Sequence, residues 1–176
     1  LHDALPIWES GIDFSFLGQG SILGVPVPVY IFLAVVAIAF YVLKYTEFGR
    51  SVYALGDSRE AARLCGINTK RIETMCFMIT GFLSALSAII FISRLGIGQP
   101  EAGEGYELDA LAMVYIGGAS TAGGSGSVIG TLIGACLISV INNILNLLGI
   151  SPFIQKVIQG VIIILAVLLE RRTKKN

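Results

Sequence analysis

Four long apolar runs, almost free of charge, constrain this chain more than anything else in it. Residues 26–43 form an uncharged run of 18, and residues 72–93 a run of 22 interrupted only by Glu73 at its edge. Residues 128–148 and 153–169 add two more, the last carrying Lys156 about one turn from its start. Each comes near the roughly 20 residues that an α-helix needs to cross hydrocarbon. Because lipid offers backbone N–H and C=O groups no partner, such spans must be helical. The predicted fold class is an all-α integral membrane protein, a polytopic helical bundle. Composition agrees: 55% of residues are hydrophobic and 14% charged, with a mean hydropathy of +0.80, where soluble domains carry about a quarter charged.

The placement of charge then gives the orientation. Residues 44–71 hold Lys44, Arg50, Arg59, Arg63, Lys70 and Arg71, half of the 12 basic residues, and the tail holds Arg171, Arg172, Lys174 and Lys175. The positive-inside rule puts both on the cytoplasmic side. Parity requires that residues 94–127 cross inward once. The apolar stretch available, residues 108–118, makes about 17 Å of helix, too short for about 30 Å of hydrocarbon. A discontinuous crossing over residues 108–127 is therefore predicted, a short helix followed by extended glycine-rich chain, which is tolerated only where protein or a water-filled cavity covers it.

Other classes of function find little support. The net charge is zero, so nothing calls for nucleic acid as a partner. Cys65, Cys76 and Cys136 are odd in number and form no CxxC pair, and the single histidine, His2, has no partner ligands; neither a disulfide framework nor a metal site is expected. Residues 117–126 are glycine-rich but lack the Lys-Ser/Thr ending of a phosphate-binding loop. No nucleophile, base and orienting group cluster as a catalytic site requires. Residues 1–7 have neither the basic start nor the apolar core of a signal peptide. Residues 1–10 are accordingly set aside as a non-native or unstructured start, leaving residues 11–176 as one transmembrane domain.

Between the first two runs lies a polar segment, residues 53–67, that reads as a capped helix. Asp57 is placed to cap it and Glu60 to answer three residues on, as in a capping box. Gly66 then supplies the left-handed residue that ends it, with Ile67 closing the turn. This segment resembles the cytoplasmic coupling segment of permease subunits of bacterial ATP-binding-cassette importers, in the branch that handles ribose and related monosaccharides. The resemblance continues through residues 99–110 (Gln-Pro-Glu-Ala-Gly-Glu-Gly-Tyr-Glu-Leu-Asp-Ala), 117–124 (Gly-Gly-Ala-Ser-Thr-Ala-Gly-Gly), 130–135 and 142–149.

That resemblance implies a carboxy-terminal half of such a permease, a multi-pass protein of the bacterial plasma (inner) membrane with a cytoplasmic carboxy terminus. It implies no catalytic site and no cofactor on this chain, ATP and Mg being bound by a separate ATPase subunit. The implied partners are that ATPase, an extracytoplasmic sugar-binding protein, a second permease copy, membrane lipid and a monosaccharide. The residues it assigns to ATPase coupling are Asp57, Glu60, Ala61, Ala62, Arg63, Gly66 and Ile67. Two alternatives are an ATP-binding-cassette permease for a non-sugar solute and a proton-coupled secondary transporter relaying through Lys156, Glu107 and Asp109. A membrane-embedded enzyme is a third.

Three further groups invite a role. Asn142, Asn143 and Asn146 lie inside an apolar span, with Gln155 and Gln159 on the next. These amides fit either contact with sugar hydroxyls along a substrate pathway or hydrogen bonding between helices. Gly126, Gly130 and Gly134 recur every four residues as a helix-packing face, within one subunit or between two. Residues 99–109 read as a turn-rich acidic loop on the outer side, solvated or in contact with a binding protein.

Overall fold

The computed structural model describes residues 5–6, 15–22, 24–98 and 103–173. In chain order these form β1 (Leu5–Pro6), α1 (Ser15–Gln19), β2 (Ser21–Ile22), β3 (Val25–Pro26), α2 (Val27–Tyr45), α3 (Glu47–Asp57), α4 (Arg59–Leu64), α5 (Thr69–Leu95), β4 (Ile97–Gly98), α6 (Tyr106–Ile116), α7 (Val128–Leu147) and α8 (Pro152–Thr173). Helices α2, α5 and α7 are long and apolar enough to cross a membrane, whereas the apolar stretch of α8, Pro152–Leu168, is shorter. Contacts divide the chain into two compact units, Leu1–Tyr45 with Asn68–Ala102, and Thr46–Ile67 with Gly103–Asn176.

The first unit is built on α2 and α5. Both are apolar around most of their circumference, and large side chains such as Ile38, Phe77 and Phe82 stand 63–79% exposed, as expected of helices whose solvent is lipid. At about 1.5 Å per residue the 27 residues of α5 reach about 40 Å. They therefore extend the expected 72–93 run through Lys70 and Arg71 at one end and Arg94 at the other. Asn68 caps α5, its side chain accepting from the Arg71 N–H. Helix α1 lies against the far end: Gly18 meets the backbone of Ser93 and Arg94, and Gln19 Nε2 donates to the Arg94 carbonyl at 3.4 Å. The strands are two-residue antiparallel pairs, β2 with β3 and β1 with β4. Leu5–Pro6 of the segment set aside above thus takes part in this unit; residues 1–4 and 7–10 fall outside the described residues.

In the second unit α6 packs between α7 and α8, and Ala112 of α6 and Ile138 of α7 are completely buried. Close approach of α6 and α7 needs glycine on both sides. A Cβ on Gly117 would sit 2.6 Å from the Gly130 carbonyl, and one on Gly134 would run into the Met113 carbonyl oxygen. Gly126 is not on this face. It precedes α7, whose N-cap is Ser127, accepting from the Gly130 N–H at 2.9 Å; a Cβ on Gly126 would meet Ala119 instead. The i, i+4 spacing misleads here because the helix starts only at Val128, where a serine can satisfy its first free amides.

Residues 117–127 between α6 and α7 are irregular, with Gly118, Gly123 and Gly124 all at positive φ. A short helix followed by non-helical chain is therefore the geometry of residues 106–127. The acidic segment before it differs from expectation. Residues 99–102 lie outside the described residues, but α6 already starts at Tyr106, so Glu107 and Asp109 belong to a helix and not to a loop. Acidic side chains are favourable there because the first turn leaves N–H groups and a positive dipole end exposed.

Candidate functional site

Two places in the second unit concentrate the polar chemistry. The first is the α3–α4 pair. Helix α3 is capped by Thr46, whose Oγ1 accepts from the Gly49 N–H at 3.3 Å, and it ends at Asp57. Ser58 is at once the last cap of α3 and the first of α4, with its Oγ accepting from the Ala61 N–H at 3.2 Å. The N-cap is therefore Ser58, not Asp57, and the single helix expected over residues 57–67 is a six-residue α4 following an eleven-residue α3. Asp57 keeps helical geometry as the end of α3, so the first extended residue, at φ −152° and ψ 114°, is the serine. Aspartate and serine cap about equally well, which is why the sequence alone favours neither.

The end of α4 follows expectation more closely. Gly66, at φ 83°, donates to the Arg63 carbonyl, and the Ile67 N–H donates to the Ala62 carbonyl, both at 3.0 Å. This is the paired bonding of a Schellman turn, and it needs a left-handed residue at Gly66. Ala62 is buried, at 3% exposure, and turns inward. Asp57, Glu60, Ala61, Arg63 and Leu64 face out. Leu64, an apolar side chain 89% exposed beside charged neighbours, is the residue to add to the expected set.

Helix α3 also holds the irregular segment of the same unit. A Cβ on Gly56 would lie 2.5 Å from the Gly124 nitrogen, one on Gly123 would lie 2.5 Å from the Gly56 carbonyl oxygen, and Tyr53 Oη donates to the Gly126 carbonyl at 3.1 Å. Glycines at all three positions let backbone touch backbone.

The second place is an amide cluster where α6, α7 and α8 meet. Gln159, only 6% exposed, donates through Nε2 to Asn142 Oδ1 at 3.2 Å and to Asp109 Oδ1, and Asn142 Nδ2 reaches the same Asp109 oxygen at 3.5 Å. Gln155 donates to Asn146 Oδ1 at 2.9 Å and to the Ile150 carbonyl at 2.8 Å. Each asparagine–glutamine pair thus ties α7 to α8, while Asn143 is exposed on another side of α7. Interhelical bonding accordingly has its partners for Asn142, Asn146 and Gln155. No buried side-chain nitrogen or oxygen among the described residues lacks a partner.

Asp109, expected in a loop, lies at the centre of this cluster, bonded by Gln159 of α8 and Asn142 of α7. Among the described residues no ion pair joins Lys156 to Glu107 or Asp109, the groups named for a proton relay. Lys156 Nζ lies 4.0 Å from Glu104 Oε1, both exposed, and Glu107 accepts from the Gly105 N–H at 3.1 Å.

Comparison with known proteins gives the family. Over 155 residues the chain is 50% identical to the ribose import permease protein RbsC of Haemophilus influenzae, covering 88% of this chain and 48% of that protein. It is 45% identical to RbsC of Bacillus subtilis over 172 residues, 97% of this chain and 53% of the relative. The xylose transport system permease protein XylH of Escherichia coli is 41% identical over 153 residues, 87% of this chain and 39% of its own length. The chain thus spans about half the length of the ribose permeases it matches. No solved structure matches it significantly. Residues 5–167 match the family described as branched-chain amino acid transport system / permease component, and the chain belongs to that family of multi-pass, helical membrane permeases.

Proposed function

We propose that this chain forms part of the membrane-spanning permease subunit of an ATP-driven importer for a ribose-like monosaccharide, and that it contributes a pathway but no catalytic step. The observation that carries this reading is 45–50% identity to ribose import permeases over nearly the whole chain. The family description names branched-chain amino acids, but the individual relatives are far more specific guides to a solute than a family-wide title, and those are named for ribose and xylose.

In this reading the α3–α4 pair faces the cytoplasm, on the strength of the six basic residues at positions 44–71. Glu60, Ala61, Arg63 and Leu64 make the surface that a separate, ATP- and Mg-binding ATPase grips, while Asp57, Ala62, Gly66 and Ile67 hold that surface in shape. ATP-driven closure of the ATPase would switch the pathway between outward and inward access by favouring one of two arrangements. The remaining partners are an extracytoplasmic sugar-binding protein, a second permease copy and the lipid of the inner membrane, with the carboxy terminus in the cytoplasm.

Residues 106–127 are the inward crossing: α6 supplies about 17 Å and the irregular segment the rest. For the pathway itself we assign the amides Asn142, Asn143, Asn146 and Gln155. Asn142, Asn146 and Gln155 bond neighbouring groups, and a sugar hydroxyl, which both donates and accepts, can insert into an amide pair and bond each member; Asn143 is exposed.

The test is reconstitution of the full-length permease with its ATPase and binding protein in proteoliposomes, followed by uptake of labelled ribose and xylose. Uptake that requires internal ATP and binding protein is expected. Uptake driven by a proton gradient without ATP would contradict the reading.

A further inference from the structure

We infer that the contact between the end of α3 and Gly123–Gly124 is the relay that carries movement of α4 into the broken crossing, with Tyr53, Gly56, Gly123 and Gly124 as its positioning residues. The inference rests on the transport reading above and adds to it the route by which the docking helix acts on the pathway.

A six-residue helix with one buried residue, Ala62, is not stable on its own. Helix α4 can serve as a lever only through something firmer. Ser58 supplies the join, since it terminates α3 and caps α4 with no residue between. The two helices therefore turn about a single capped residue.

The other end of the lever is fixed by close backbone contact. Gly56 of α3 abuts the Gly124 nitrogen, and Gly123 abuts the Gly56 carbonyl. A side chain at either position would overlap backbone at 2.5 Å, far inside any contact a Cβ makes. One turn earlier on α3, half-buried Tyr53 donates to the Gly126 carbonyl at 3.1 Å. The segment so gripped is itself closed, by Ser120 N–H donating to Ser125 O at 2.9 Å and by Gly126 lying against Ala119. It leads directly into Ser127, the cap of α7, and it follows directly on the end of α6.

Packed elements transmit displacement because they have no slack to absorb it. A shift of α3 must therefore move the junction between α6 and α7. Those helices carry Asp109 and Asn142, so the same shift reaches the amide cluster.

The experiment uses the full-length permease assembled with its ATPase and binding protein in proteoliposomes, in a background with every native cysteine, Cys65, Cys76 and Cys136 included, replaced by serine and Ser125→Cys as a reporter. Maleimide labelling of that cysteine is measured with and without ATP, alongside ATP hydrolysis and uptake. In the parent complex the labelling rate is expected to change with ATP. Tyr53→Phe, which removes one hydrogen bond and no bulk, should cut uptake per ATP about fivefold and shrink the ATP-dependent change in labelling while hydrolysis continues. Gly56→Ala should abolish both readouts if the complex assembles.

The inference is overturned if Tyr53→Phe leaves uptake per ATP and the labelling change at parental values. It is equally overturned if Gly56→Ala assembles and transports normally. Failure of the transport reading looks different: the parent complex itself then shows no ATP-dependent uptake.

Discussion

At the scale of single residues the chain is governed by a few caps and turns, and their substitution should have separable effects. Gly66 sits at φ 83° with no atom within 4 Å of where a Cβ would go, so Gly66→Val is opposed chiefly by backbone strain, about 1–3 kcal/mol. The variant is expected to fold and to associate with the ATPase, with uptake per ATP reduced; Gly66→Asn, which tolerates the left-handed region, should restore it. Ser58→Ala removes a cap worth about 1 kcal/mol and should speed hydrogen exchange at the Ala61 amide. Gln159→Leu leaves Asp109 and Asn142 without their buried donor and should lower thermal stability by about 1–3 kcal/mol. The double variant Asn142→Leu with Asn146→Leu separates the two uses of these amides. Normal melting with lost uptake supports substrate contact, whereas early melting with normal uptake per folded complex assigns them to helix bonding alone. How far the sequence revealed these sites depended on chemistry of this kind. The left-handed glycine was legible because Gly66 ends a helical pattern and little else does that. The cap was not, since Asp57 and Ser58 are adjacent and equally suited. The meeting of Asp109 with Gln159 and Asn142 depends on how three helices pack, which no spacing along one helix encodes.

At the scale of elements, hydropathy located every long helix, because a run that must face lipid has no freedom to be polar. The bounds of α2, α5 and α7 fall within a few residues of the apolar runs at 26–43, 72–93 and 128–148. What escaped was α3, whose polar sequence carries no hydropathy signal, and the start of α6, where Glu107 and Asp109 read as loop but sit favourably at a helix beginning. The glycine face was half legible: Gly130 and Gly134 do mark a close approach, against Gly117 and Met113, while Gly126 lies before the helix. Replacement of Gly134 by valine should push α6 off α7, cost several kcal/mol as overpacking against backbone, and reduce the yield of folded permease in the membrane. The crossing proposed for residues 106–127 has its own check. In intact cells a membrane-impermeant maleimide should label Glu104→Cys, and Ser125→Cys should react only after permeabilisation. Labelling of both from one side would turn the segment into a re-entrant loop and remove the parity argument.

At the scale of the whole molecule the chain accounts for about half the length of the ribose permeases it matches. Its helices expose large apolar side chains, Ile133, Leu137 and Val140 of α7 at 49–58% among them, as suits helices whose solvent is lipid. The account of function turns on one surface, the outward side of α4, where Leu64, the last residue of the helix, stands bare beside Arg63. If an ATPase drives this permease, that surface is where the force enters. The most direct test is cysteine crosslinking in the full-length, assembled complex, with single cysteines at Glu60, Ala61, Arg63 and Leu64, a second set at the inward-facing Ala62 as a control, and a short bifunctional reagent. The account predicts crosslinks from the four outward positions to the ATPase subunit, weak or absent at Ala62, with a yield that changes when ATP is added. Crosslinks to the ATPase that arise elsewhere in the permease and never from these four positions would contradict it.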